Sequence, residues 1–256
     1  GTSMLPHLLL SSIAGLPCGS NRAFIDLGAN DGQSLTWFER KLLHQTRVPY
    51  TAVYAFEMNP YFEEPLQLVL RRLPNGELVR AAAWTRDGTM EANMQLPGSR
   101  TAVKGGVLYN MTASALQVNG VPLNRSPAGG GGRRARKHAR GSLKSKHEDV
   151  IQVRTVDFAK WLAARFCAAD YVFLKADIEG AEFEVFEHLL AEGVANLLDT
   201  ASIEWHTLKR GRGSNGATAR RQRHITSELG RVGVTLSTWG DARNTDVQSQ
   251  GVVTYI

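Results

Sequence analysis

The sequence predicts an open α/β fold, a mostly parallel sheet with helices on both faces, and three observations carry that reading. Ala23 to Gly28, Thr51 to Glu57 and Tyr171 to Ala176 are short apolar runs, each followed by a turn and a helical pattern. Strands that alternate with helices along a chain pair in parallel and bury both faces. The polar clusters fall at the carboxyl ends of these runs, where ligands bind in such sheets.

Ala23-Phe24-Ile25-Asp26-Leu27-Gly28 reads as a buried strand entering a tight glycine loop. Ser34 to Gln45 places Leu35, Phe38 and Leu42 at helical spacing. Thr51 to Glu57 is a second strand, and Pro60 starts a helix that Pro74-Asn75-Gly76 stops. Glu77 to Trp84 reads as a third strand, and Thr89 to Leu96 alternates as an antiparallel one. Val150 to Arg154 is another strand, and Asp157 is placed to cap the helix after it. Tyr171 to Ala176 is a central strand, followed by a helix over Glu182 to Leu190 and a strand over Thr200 to Trp205. Ala217 to Leu229 reads as a helix with a basic face, and Val234 to Trp239 and Gly251 to Tyr255 as closing strands.

At 256 residues, with 43% hydrophobic and 21% charged, the chain suits one α/β domain with a sizeable core. Residues 1–22 read as an N-terminal segment opening on an expression scar, Gly1-Thr2-Ser3, and residues 23–256 as the domain. No apolar run is long enough to span a membrane. A cytosolic location is slightly favoured, with a secretory lumen as the alternative if an N-terminal anchor was removed. Two sequons, at Asn110 and Asn124, keep that alternative open. Cys18 and Cys167 are far apart and form no CxxC pair, so they read as two separate thiols.

The net charge of +6 belongs to one segment. Arg125, Arg133, Arg134, Arg136, Lys137, Arg140, Lys144 and Lys146 lie in a stretch without Asp or Glu, and removing those eight charges leaves −2 for the remainder. With the four glycines of Gly129 to Gly132, this marks a flexible basic insertion at about 124–148.

The loop Asp26-Leu27-Gly28-Ala29-Asn30-Asp31-Gly32 follows the first strand, and its glycines stand four apart rather than as GxGxxG. An acid-flanked loop of this kind does not suit a pyrophosphate. It suits a ligand with a cationic amino group, which Asp26 can hold directly or through water, while Gly28 lets the backbone come close. Asn30 and Asp31 complete this candidate cofactor loop. Glu57 ends the second strand, where a carboxylate accepts both ribose hydroxyls of a nucleoside. Met58 is placed to pack on its base, and Ala83 and Trp84 stand where that base would lie, with a core role the alternative for Trp84.

Five segments together resemble the FkbM family of methyltransferases: FIDLGANDGQS (Phe24–Ser34), VYAFEMNP (Val53–Pro60), TVDF (Thr155–Phe158), LKADIEGAEFEVF (Leu174–Phe186) and SIEWH (Ser202–His206). The resemblance implies a seven-stranded, Rossmann-like class I methyltransferase fold and S-adenosylmethionine as donor. It implies O-methylation of a sugar-like or other small-molecule hydroxyl. It further implies cofactor roles for Asp26, Gly28 and Glu57, and a reaction centre lined by Lys175, Asp177 and Glu179.

A neutral hydroxyl is a poor nucleophile, so its methylation needs a base or a metal. Asp177 and His206 are the candidates for base, with Asp177 also near the donor. Residues two apart on a strand share a face, which pairs Lys175 with Asp177 and Glu204 with His206. Asp177, Glu204 and His206 are also the candidate ligands of a divalent metal. Lys175, Glu179 and Glu182 could instead form a structural ion-pair network. Two other readings stay open. The insertion Arg133 to Lys146, with a second run including Arg220, Arg221 and Arg223, suits a nucleic acid or an anionic glycan, hence a ribose 2′-O-methyltransferase. A binding module that kept the fold without catalysis is the other.

Overall fold

The structure is a computed structural model that describes residues 17–44, 46–95, 115–118, 121–122, 148–206 and 215–237. The start of the N-terminal segment, the sequons, the closing strand at 251–255 and the basic insertion up to residue 147 lie outside these residues.

Strand β1 (Arg22–Leu27) leads through a loop to helix α1 (Gln33–Lys41), then to β2 (Ala52–Phe56). A 3₁₀ turn at Pro60–Phe62 opens helix α2 (Glu63–Leu70), and Asn59 caps the turn by accepting from the Tyr61 amide at 3.0 Å. Next come β3 (Gly76–Val79), β4 (Ala82–Trp84), β5 (Gly88–Gln95), β6 (Ala115–Val118), β7 (Val121–Pro122) and β8 (Glu148–Asp157). Helix α3 (Phe158–Ala163), β9 (Tyr171–Ala176), α4 (Glu182–Ala191), β10 (Thr200–Ile203), α5 (Asn215–Arg231) and β11 (Thr235–Ser237) complete the described chain.

The central sheet runs β11-β10-β9-β1-β2-β3, with every pairing parallel. Its strands are apolar on both faces because both are covered. All of β2 and all of β1 but Arg22 are buried. On one face Phe24 stacks on Phe38 of α1 at 4.3 Å, with Val53, Leu66 and Leu70 around them. On the other, Tyr54 and Phe56 meet Trp161 edge-on at 5.0 and 4.9 Å, and Phe186, Ile225 and Leu229 close the layer. The described residues give six central strands, one fewer than the resemblance implies.

The expected single strand over Glu77 to Trp84 is two strands in two sheets. The Ala81 amide bonds back to the Val79 carbonyl at 2.8 Å, a tight turn that breaks the run. Strand β3 stays beside β2, whereas β4 joins a second sheet of order β4-β8-β5-β6-β7. There β8 pairs in parallel with β4 and antiparallel with β5. Asp157 caps α3 as expected, accepting from the Lys160 amide at 3.2 Å.

The cysteines are not separate thiols: Cys18 and Cys167 form a disulfide, with Cα atoms 5.9 Å apart. They lie 149 residues apart in sequence, but β1 and β9 are neighbours and start side by side, which brings the preceding segments together. Buried Asp170 ties the same segments. One carboxylate oxygen accepts from the Gly19 and Asn21 amides and the Asn21 side chain at 2.9 to 3.0 Å. The other accepts from the Cys167 amide at 2.9 Å. Among the described residues no helix is long and apolar enough to cross a membrane.

Candidate active site

Strands β1, β2 and β9 end together, and their loops enclose a cleft of about 580 Å³, counted out to its open mouth. Gly28 and Asn30 line it from the first loop, Glu57 and Met58 from the end of β2, and Ala81, Ala82 and Ala83 from the bend into β4. Asp177, Ile178, Glu179 and Ala181 close it from the loop after β9.

Gly28 has φ 77°, and a Cβ there would sit 2.0 Å from the Asp177 carbonyl oxygen. The glycine is required because the segments leaving β1 and β9 touch at this point. The Asp177 amide accordingly bonds the Leu27 carbonyl at 3.0 Å.

Glu57 is half-buried, and both its oxygens accept backbone amides: Asn30 at 2.8 Å and Asn59 at 2.7 Å. Burial pushes its carboxyl up to about 7, against the lowering by those two amides. A carboxylate oxygen has two lone pairs, so each keeps one for a ligand.

Asp26 is fully buried and does not line the cleft. It accepts from the Ser34 hydroxyl and pairs with Lys175 at 3.1 Å. Lys175 is buried too, donates to the Gly28 carbonyl at 3.2 Å and stands 3.6 Å from Asp177. Burial alone would lower the Lys175 pKa, but the Asp26 and Asp177 carboxylates outweigh it and hold it above the ordinary value. The expected Lys175–Glu179–Glu182 network is therefore divided: Lys175 pairs with Asp26 and Asp177, while Glu179 and Glu182 face His206.

His206 Nε2 lies 3.7 Å from both Asp177 and Glu179, and Nδ1 lies 2.9 Å from Glu182. Burial opposes its charge, but Glu182, Glu179 and Asp177 push its pKa up to about 9. Glu204 is exposed, and desolvation and then Asp177 raise its carboxyl above the ordinary value. Asp31 is exposed and bonded to Gln33, and Trp84 belongs to the core rather than the cleft wall.

Among the described residues, the acidic and histidine groups whose ligand atoms come within 4.8 Å of one another are Asp177, Glu182 and His206, with Glu182 where the sequence suggested Glu204. Glu182 is fully buried, and its oxygens already accept the Ile178 and Gly180 amides and meet His206. Glu182 Oε1 is filled by the Ile178 amide and His206, Oε2 accepts the Gly180 amide alone, and Asp177 meets His206 only across 3.7 Å.

Sequence reading missed Glu182 as the partner of His206 and Ser34 as the partner of Asp26. Glu182 carried a signal, since it stands four residues after Ile178, where a helix's first turn can reach back to preceding amides.

This cleft at the carboxyl ends of a parallel sheet, acidic and without a phosphate loop, is that of a Rossmann-like methyltransferase. Residues 26–232 match the methyltransferase FkbM domain, and the chain belongs to that family. Searches of curated proteins and of solved structures gave no significant match.

Proposed function

We propose that the chain is an S-adenosylmethionine-dependent O-methyltransferase acting on a hydroxyl of a sugar-like or other small-molecule acceptor. The observation that carries this is the cleft uniting Gly28, Asn30, Glu57, Met58, Ala81, Ala82, Ala83, Asp177, Ile178, Glu179 and Ala181. When bound, S-adenosylmethionine supplies a methyl group on a cationic sulfur, which passes to the acceptor oxygen and leaves a neutral thioether.

Glu57 accepts the ribose hydroxyls through its remaining lone pairs, and the three alanines leave room for the base beside Met58. Asp177 and Glu179 give the other end a negative wall, which favours an ammonium and a sulfonium. Asp26 acts through Lys175, and Lys175 fixes Asp177 and the Gly28 carbonyl. His206 holds its proton at neutral pH, so of the two candidate bases Asp177 takes the acceptor proton, and the His206 charge steadies it.

The basic-segment reading is weakened at one place. Arg221 is turned onto α4, with Glu187 and Glu184 at 2.7 and 2.9 Å. The Cys18–Cys167 disulfide favours maturation in an oxidising compartment over the cytosol.

Calorimetric titration with S-adenosylmethionine and, separately, NAD tests the reading. Saturable binding of the sulfonium ligand alone is expected, and no binding would leave the binding-module reading in its place. Glu57→Ala should weaken donor binding by about 2 kcal/mol, roughly thirtyfold in Kd. Transfer of labelled methyl to simple glycosides and to RNA then separates the acceptor classes.

A further inference from the structure

We propose that Glu182 is a positioning residue for methyl transfer, acting through His206 on the two carboxylates at the cleft wall. The inference rests on the donor-cleft reading above and deepens it.

Glu182 sits in the first turn of α4 and is 0% exposed. A fully buried carboxylate is costly unless its lone pairs are satisfied, and here three donors reach it. Oε1 accepts from the Ile178 amide at 2.9 Å and faces His206 Nδ1 at 2.9 Å, while Oε2 accepts from the Gly180 amide at 3.0 Å. The two amides flank Glu179, which has φ 55° in the left-handed region that a non-glycine residue adopts only at a cost. Glu182 holds both sides of that residue. The same carboxylate thus shapes the loop bearing Asp177 and Glu179 and orients the imidazole that faces them.

The orientation follows from hydrogen-bond logic. A carboxylate only accepts, so Nδ1 of His206 must carry a proton. Nε2 is then directed to Asp177 and Glu179, 3.7 Å from each. Among the described residues, the charged groups around the ring are Glu182 on α4, Asp177 and Glu179 on the loop after β9, and Glu204 on the ring's own segment, with Lys175 behind Asp177. A buried acceptor that fixes the ring's tautomer, paired with a solvent-side nitrogen facing the reacting groups, is a general arrangement for histidines at reaction centres.

The test is the ¹⁵N spectrum of histidine-labelled protein, with donor binding measured alongside. In the wild-type chain His206 Nδ1 is expected to stay protonated across its whole titration. An Nδ1 without a proton at high pH would overturn the proposal without any variant having to fold. Glu182→Met keeps the side chain's length and removes every acceptor. It should abolish the fixed Nδ1 proton and weaken S-adenosylmethionine binding by less than it weakens transfer, because the loop it braces lines the donor's end of the cleft. Methyl transfer to simple methyl glycosides should fall on the order of 10²-fold. An unchanged His206 spectrum in Glu182→Met would overturn the proposal, as would a loss of donor binding as large as the loss of transfer. Failure of the wild-type chain to bind the donor would overturn the functional reading alone, because the histidine spectrum still decides the pairing.

Discussion

His206 and Glu57 carry the two pH dependences of the site, and their signs differ. The His206 pKa rises from 6.5 to about 9 on folding, so its contribution is fully present below pH 6.5 and is lost as pH rises through 9. The size is at most about 3 kcal/mol. His206→Gln should therefore be clearly less stable than wild type in urea at pH 6, and the gap should shrink by pH 10. A gap independent of pH would contradict the charge assigned to the ring. Glu57, pushed up to about 7, protonates as pH falls through that value. Donor affinity measured from pH 8 to pH 6 should fall, because a protonated carboxyl loses acceptor strength. Burial is what the sequence hid at this scale. Glu57 was legible as a strand-end carboxylate, whereas the pairing of buried Asp26 with Lys175 was not.

The elements of the site are strand ends, and the close contact of the segments that leave them allows no slack. Gly28→Ala must displace the Asp177 carbonyl that a Cβ would strike at 2.0 Å, and it also forces alanine to φ 77°. Thermal melts should show a loss of roughly 2 kcal/mol or more, accompanied by weaker donor binding. Preserved affinity would mean that the first loop and the Asp177 loop are not mechanically joined. At the other end of the same strands, Cys18→Ser with Cys167→Ser should cost about 2–4 kcal/mol in denaturant. The Asp170 clamp remains in that variant, so the segments should stay docked and donor affinity should not change. Periodicity could find β1, β2 and β9, because parallel central strands are continuous apolar runs. It could not find the break at Ala81, since the signal there is a backbone turn between two alanine-rich stretches. Nor could it pair two cysteines, because their meeting follows from strand order rather than spacing.

At the scale of the whole molecule, the described sheets form their pairings without residues 129–144, since β8 joins β4 and β5 directly. Deleting those residues should leave both the melting temperature and the donor Kd unchanged, and a deleted chain that fails to fold would contradict the domain organisation. The fold class was legible because alternation of strand and helix is a property of the entire chain. Three of the five resembling segments line the cleft and come together only when the strands are ordered, and the contacts beside it, Glu182 with His206 above all, required that order. The disulfide has a practical corollary. It and the Asp170 clamp sit at the blunt ends of β1 and β9, while the ligand cleft sits at their tips. Thiol reductants in an assay buffer would soften one end of the molecule and spare the other, so melting curves and turnover rates would report on opposite poles of the same strands.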